Sequence, residues 1–185
     1  SDLQSIGREK AGIIRAGKPV VCGEQHPPAS VLRVAAALGA PVRRLGVDFR
    51  AATQAEGVRF STGACVLDLP LPALAGPHQV SNMATGLAAV LELLPEAANA
   101  AAGIARGLRA VTLPGRLERL AERPALWLDV GHNPLAARAV AAALGEWLAA
   151  GRIRQCRCVL AMLADKDAAG VVSELRDLVA AWYCA

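Results

Sequence analysis

The chain has 185 residues, of which 54% are hydrophobic and 3% aromatic, and it carries a formal net charge of +4. That is enough apolar material for one large or two small folded domains, and it excludes a disordered chain. The arginines are scattered and no basic run occurs, so the charge suits small anions and argues against a nucleic-acid surface of stacked bases.

From the N-terminus, "SDLQSIGREK" is charged at once and lacks the apolar core of a signal sequence. Nowhere does an uncharged apolar run reach the length of about 18 residues needed to span a bilayer. Five cysteines without a C-x-x-C pair fit a reduced, cytoplasmic protein, and Cys156 and Cys158 should share one face of a strand. "KPVVCG" and "PVRRLGV" read as strands on either side of a helix, "VLRVAAALG", that ends at Gly39. Between Pro41 and Leu71 the composition turns to β-formers, with "GVRFSTG" and "ACVLDLPLP" as antiparallel or edge strands. Helical spacing returns in "HQVSNMATGLAAVLELLP", where Val80, Met83, Leu87, Val90, Leu91 and Leu94 share a face and Pro95 ends the run. "NAAAGIARGLRA" is a further helix. The Pro-Gly break in "VTLPGRLERL" marks a domain boundary, dividing residues 1–113 from 114–185.

Beyond the break, "ALWLDV" and "RCVLAML" read as strands. Helical stripes follow each, the second through Val171, Val172, Leu175, Leu178, Val179 and Trp182. Alternating strands and helices make this an α/β chain, with a mainly parallel sheet in its second part.

Three features carry chemistry. "GIIRAGKP" matches G-x-x-x-x-G-K, but Pro19 stands where a P-loop needs a magnesium-binding hydroxyl and a strand follows instead of a helix, so it is a decoy. Only Lys10, Lys18 and Lys166 break an otherwise all-arginine basic set, so a lysine here is a candidate for its amine. Lys10, ahead of a small-residue pair and an apolar run, should lie near a packed interior, whereas Lys18 beside Pro19 reads as an ordinary surface residue. Lys166, in "LADKD", either meets a ligand or is held by Asp165 and Asp167, one of which could cap a helix. In "WLDVGHNP", Asn133 is a good N-cap and Pro134 a good first helical residue. Asp129 and His132 then lie at the carboxyl end of a strand, where open α/β sheets bind ligands, with a helix N-terminus to receive an anion. A plain turn with a solvated histidine satisfies the same residues.

Five motifs in order, "SIGREKAGII", "LPLPALAGPHQVSNMATGLAAV", "LPGRLE", "LDVGHNPLAAR" and "AMLADKD", together resemble the bifunctional dihydrofolate synthase/folylpolyglutamate synthases of the Mur ligase superfamily. The resemblance implies the later part of a central ATPase domain followed by the first part of a Rossmann-like C-terminal domain. The P-loop and a histidine metal ligand would precede Ser1, and further C-terminal sequence would follow, so these residues alone should be inactive. It also implies that Lys10 is carbamylated and helps hold Mg²⁺, that Asn82, Arg116 and Asp129 contact ATP, the last at its ribose, and that His132 lies beside the reacting phosphate. Gly131 stands where the family usually has alanine, a change expected to loosen the loop. The implied reaction is ATP-dependent formation of an acyl phosphate on dihydropteroate or a folate, which L-glutamate then displaces, in a monomeric enzyme needing no nucleic acid or membrane. Rival readings are another amino-acid ligase of the superfamily and a non-catalytic nucleotide-binding segment.

Overall fold

The computed structural model describes residues 2–185, which divide into two units, residues 2–72 with Val80–Ala110, and Ala73–Gln79 with Val111–Ala185. Among the described residues, no helix is long and apolar enough to cross a membrane.

The first unit opens with helix α1 (Leu3–Ala11), capped by Asp2, whose Oδ1 accepts from the Ser5 N–H at 2.7 Å. Strand β1 (Val20–Cys22), helix α2 (Ala29–Ala37) and strand β2 (Val42–Arg44) form a β-α-β unit with parallel pairing, Val20 opposite Val42. Gly39, at φ +59°, ends α2: the Ala40 N–H returns to the Ala35 carbonyl at 2.9 Å, a turn that needs the left-handed conformation glycine adopts freely. α1 packs on α2 through Gly7, where a Cβ would meet Ser30 Oγ at 2.6 Å, so the glycine sets how closely the helices approach.

Strands β3 (Phe49–Gln54), β4 (Gly57–Thr62) and β5 (Val66–Leu69) form an antiparallel sheet in that order. The β-rich composition pointed to this region, but β3 carries no strong signal of its own. Phe49, Phe60, Leu67 and Leu69 face helix α3 (His78–Leu93), which buries Ala84, Leu87 and Ala88 against them. The buried stripe of α3 is therefore Met83, Ala84, Leu87 and Ala88, whereas Val90 and Leu94 of the expected face are exposed. Met83, Leu87 and Leu91 of the expected face do pack, and the alanines beside them let the sheet come close, which turns the buried stripe away from Val90 and Leu94. A 3₁₀ turn (Pro95–Asn99) and helix α4 (Ala101–Ala110) complete this core through Ile104 and Leu108.

In the second unit, strands β6 (Glu118–Glu122) and β7 (Ala125–Leu128) make an antiparallel hairpin. Helix α5 (Pro134–Ala149), strand β8 (Cys156–Leu160), helix α6 (Ala168–Leu175) and strand β9 (Val179–Cys184) follow, with β8 and β9 parallel. The α/β class expected from the sequence holds, with parallel pairing in β1–β2 and β8–β9. One expectation fails. The stripe from Val171 to Trp182 is not a single helix, because α6 stops at Leu175 and Val179 and Trp182 lie in β9. Their three- and four-residue spacing matched a helix by coincidence, whereas the β-formers of "VAAWYC" find a partner strand in β8.

Ala143, Leu144 and Trp147 of α5, Val171 and Leu175 of α6, Val179 and Leu117 share one core. Trp147 also stacks on Trp127 of β7, ring centroids 4.5 Å apart at 41°, while the Arg119 guanidinium lies 5.7 Å from the Trp127 ring. Replacing Trp147 with alanine should lower unfolding free energy by about 3–5 kcal/mol and loosen β7 as well as α5. Denaturant unfolding gives the first, and loss of the near-ultraviolet dichroism of the Trp pair gives the second.

Candidate active site

The site is assembled from two loops of the second unit that lie twelve or more residues apart in sequence. Asp129 follows β7. Its Oδ1 accepts the Gly131 N–H at 2.7 Å, turning the chain toward α5, and its Oδ2 accepts the Leu117 N–H at 3.0 Å. The Val130 N–H donates to the Gly115 carbonyl at 2.9 Å, and the Gly115 N–H donates to Glu118 Oε2 at 2.8 Å. Arg116 sits between these fastenings, its side chain exposed. Leu117 takes φ +44°, a strained angle for a residue with a Cβ, held by its buried side chain and the bond to Asp129. Gly115, at φ +69°, has no room for a side chain, since a Cβ would meet Val130 Cγ1 at 2.5 Å.

The expected start of α5 is observed. Asn133 Oδ1 accepts the Ala136 N–H at 2.9 Å, and Pro134 is the first helical residue. His132 is exposed immediately before this cap, its Nδ1 3.2 Å from the Val130 carbonyl oxygen. The second strand-to-helix loop, between β8 and α6, lies alongside: a Cβ on Gly170 would come within 2.6 Å of Pro134 Cγ. There the flanking aspartates of "LADKD" hold Lys166 and cap the helix. Lys166 Nζ pairs with Asp165 at 2.7 Å, and Asp167 caps α6 by accepting the Gly170 N–H at 2.8 Å. The Lys166 hydrogen bond holds the Asp165 carboxyl below its usual range, with a smaller contribution from the charge of His132.

Arg116, Asp129 and His132, singled out in separate motifs, are thus brought together. Lys10 and Asn82 belong to the first unit, on α1 and α3. Lys10 is not near a packed interior: its side chain is 72% exposed and its Nζ pairs with Glu9 at 2.8 Å. The buried positions of α1 are Gly7 and Ala11, so the small residues face α2 and the lysine faces solvent. An exposed amine suits carbamylation, and a carbamate would supply the oxygens that magnesium prefers. Among the described residues no group of three His, Cys, Asp or Glu side chains surrounds a point that could hold an ion. Asn82 is exposed on α3. A cavity of about 410 Å³ in the first unit, lined by Arg43, Asp48, Phe49 and Glu92 among others, includes none of the candidate residues.

Two contributors escaped the sequence reading. Glu118 belongs to the quoted "LPGRLE", but its role in closing the Gly115 turn needs a side chain folding back three residues, which no local propensity announces. His78 lies over Gly76, which adopts φ +109° and where a Cβ would meet the ring at 2.6 Å, and its Nε2 contacts the Gln79 amide at 3.0 Å. Gly131 also differs from expectation, because a Cβ there would lie 2.7 Å from Asp129 Oδ1 and 2.9 Å from Ala136 Cβ, so the glycine closes the loop tightly and does not loosen it.

The loop is fastened in this way where it leads into a capped helix beside a parallel strand pair, and residues 115–185 match the Mur ligase, glutamate ligase domain family. Relatives that match the chain along its length include several dihydrofolate synthase/folylpolyglutamate synthases. It is 38% identical to that of Escherichia coli K12 over 100% of the chain and 42% of the relative, and 33% identical to that of Mycobacterium tuberculosis over 96% and 39%. Among solved structures it superposes on the Yersinia pestis enzyme complexed with AMPPNP and Mn ion (TM-score 0.83, 40% identity, 99% of this chain and 42% of that one). It likewise superposes on E. coli FolC in complex with DHPP and ADP (TM-score 0.84, 38% identity, 100% and 43%). The chain therefore spans about two fifths of the length of the proteins it matches.

Two substitutions test the geometry. Asp129→Ala leaves two backbone N–H groups without their charged acceptor and should cost roughly 2–4 kcal/mol of stability, so its melting curve shifts even before activity is considered. Gly131→Ala, although it restores the residue usual in the resembling family, should destabilise by about 1–3 kcal/mol through overpacking against Asp129 and Ala136, and calorimetry on the single variant checks this.

Proposed function

We propose that this chain works as part of an ATP-dependent carbon–nitrogen ligase that joins L-glutamate to dihydropteroate, to folates, or to both. The observation that carries the reading is the joining of the Arg116 loop to the Asp129–His132 loop by Asp129 and the Val130–Gly115 bond, which puts a cation, a carboxylate and an imidazole at the entry to α5. Support comes from the match of residues 115–185 to a glutamate ligase domain and from relatives whose structures hold AMPPNP, Mn and L-glutamate, or DHPP and ADP.

In this reading residues 1–113 are the later part of a central ATPase domain and residues 114–185 the first part of a Rossmann-like glutamate-ligase domain. Asn82, Arg116 and Asp129 hold ATP. Asp129 offers its remaining lone pairs to the ribose while its backbone bonds keep it in place, and Arg116 neutralises phosphate charge. Lys10, once carbamylated, contributes an oxygen to Mg²⁺, which supplies charge neutralisation for the transferring phosphoryl group. The acid substrate's carboxylate attacks the γ-phosphate and becomes an acyl phosphate, and the amine of L-glutamate displaces phosphate to form the amide. Phosphoryl transfer asks mainly for positioning and charge compensation, which an arginine, a metal and helix N-termini supply. The ligase is expected to act as a monomer in the cytoplasm, and residues 1–185 alone are expected to be inactive.

In the complete ligase, Lys10→Arg should reduce glutamate-dependent phosphate release by at least about a hundredfold, because a guanidinium keeps the charge but forms no carbamate to stand among the metal's oxygen ligands. The assay, run with dihydropteroate and with a folate in turn, also separates the two activities, and near-normal turnover of the arginine variant removes Lys10 from the metal site.

A further inference from the structure

Resting on the ligase reading, we propose that His132 accepts the proton released by the incoming amine and does not serve as a donor to the transferring phosphate.

The geometry fixes which ring nitrogen is available. His132 Nδ1 lies 3.2 Å from the Val130 carbonyl oxygen, and a carbonyl only accepts, so Nδ1 carries the hydrogen. In the neutral imidazole the other nitrogen, Nε2, then presents a lone pair. His132 is exposed, and Nε2 meets no partner among the described residues. The backbone that holds the ring is stiff on both sides, tied by Asp129 to the Gly131 N–H before it and by the Asn133 cap after it. A lone pair faces the wrong way electrostatically for phosphate oxygens, which require donors. It suits an ammonium or amine N–H.

An α-amino acid arrives at neutral pH as an ammonium, which has no lone pair with which to attack. The step then balances as follows. One proton leaves the ammonium to solvent in forming the amine, whose nitrogen attacks the acyl-phosphate carbon as the C–N bond forms. The C–O bond to phosphorus breaks, phosphate departs with that electron pair, and the second N–H proton passes to Nε2. The resulting imidazolium is not left uncompensated. Asp165, on the adjacent β8–α6 loop, is close enough to interact with a charge on this ring, although Lys166 is its principal partner. Asp129, on the same β7–α5 loop as His132, has both oxygens committed to backbone N–H groups and is poorly placed to take the proton.

Hydroxylamine separates the two roles, since it is largely unprotonated at neutral pH and a strong nucleophile, so it captures an acyl phosphate as a hydroxamate without needing a base. In the complete ligase, His132→Gln should lose at least about a hundredfold in glutamate-dependent turnover while keeping hydroxamate formation within roughly threefold of wild type. Parallel loss of both activities makes His132 a contact of the phosphate-transfer step and overturns the proposal, as does retention of both. A wild-type enzyme that makes neither product overturns the ligase reading itself, and the proposal with it. Nitrogen-15 spectra of the His132 ring give a readout apart from activity: the proton is expected on Nδ1, and a resting ring protonated on Nε2 instead would refute the assignment.

Discussion

One carboxylate holds the second unit's functional end together. Asp129 spends one oxygen on its own loop, at the Gly131 N–H, and the other on the Leu117 N–H, twelve residues away. Each bond satisfies a backbone donor that would otherwise be stranded at a turn, and both are strengthened by the acceptor's charge. The first bond turns the chain from β7 toward α5. The second draws in the loop that carries Arg116 and secures Leu117 in the core despite its positive φ. Together with the Val130–Gly115 bond, Asp129 ties the Arg116 loop to the His132 loop.

How much of this was legible depends on the range of the interaction. The α5 cap is local: Asn133 bonds three residues ahead and Pro134 needs only its own fixed φ, so "HNP" announces the helix start by itself. The same holds for Gly39 after α2 and for Asp167 before α6. The bond from Asp129 to Leu117 crosses a whole hairpin, and no spacing rule specifies it; only the resemblance of "LPGRLE" and "LDVGHNP" to one family hinted that the two loops belong together. Periodicity failed where it was ambiguous, between Leu175 and Trp182, because residues three and four apart also occur in a short helix followed by a strand. For α3 it held at Met83, Leu87 and Leu91 but missed Ala84 and Ala88, which pack beside them, and it counted Val90 and Leu94, which are exposed. The placement of Lys10 failed for a related reason: small residues beside it reported a helix–helix contact, and the lysine lies on the opposite side of that contact.

Glycines at the site do more than permit turns. Gly115 and Gly131 both lie where a Cβ would collide with a neighbour, Val130 in one case and Asp129 with Ala136 in the other. Gly115 admits the Val130 side chain against the first loop, and Gly131 lets its own loop close on Asp129 and Ala136. A family position that usually holds alanine and here holds glycine is therefore matched by the closeness of Ala136, and the pair of positions has to be read as a unit.

The charges around the two strand-to-helix loops are internally settled before any ligand arrives. Lys166 pairs with Asp165, Asp167 is a helix cap, and Asp129 is bound on both oxygens. What remains without a partner on these loops, among the described residues, is the Arg116 guanidinium and Nε2 of the His132 ring. A ligand that carries both phosphate and a nucleophilic nitrogen's proton to the same place, as the two halves of an acyl-phosphate amidation do, meets a complementary group for each. The structural carboxylates are committed to the backbone, and that commitment fixes where the Arg116 and His132 loops stand.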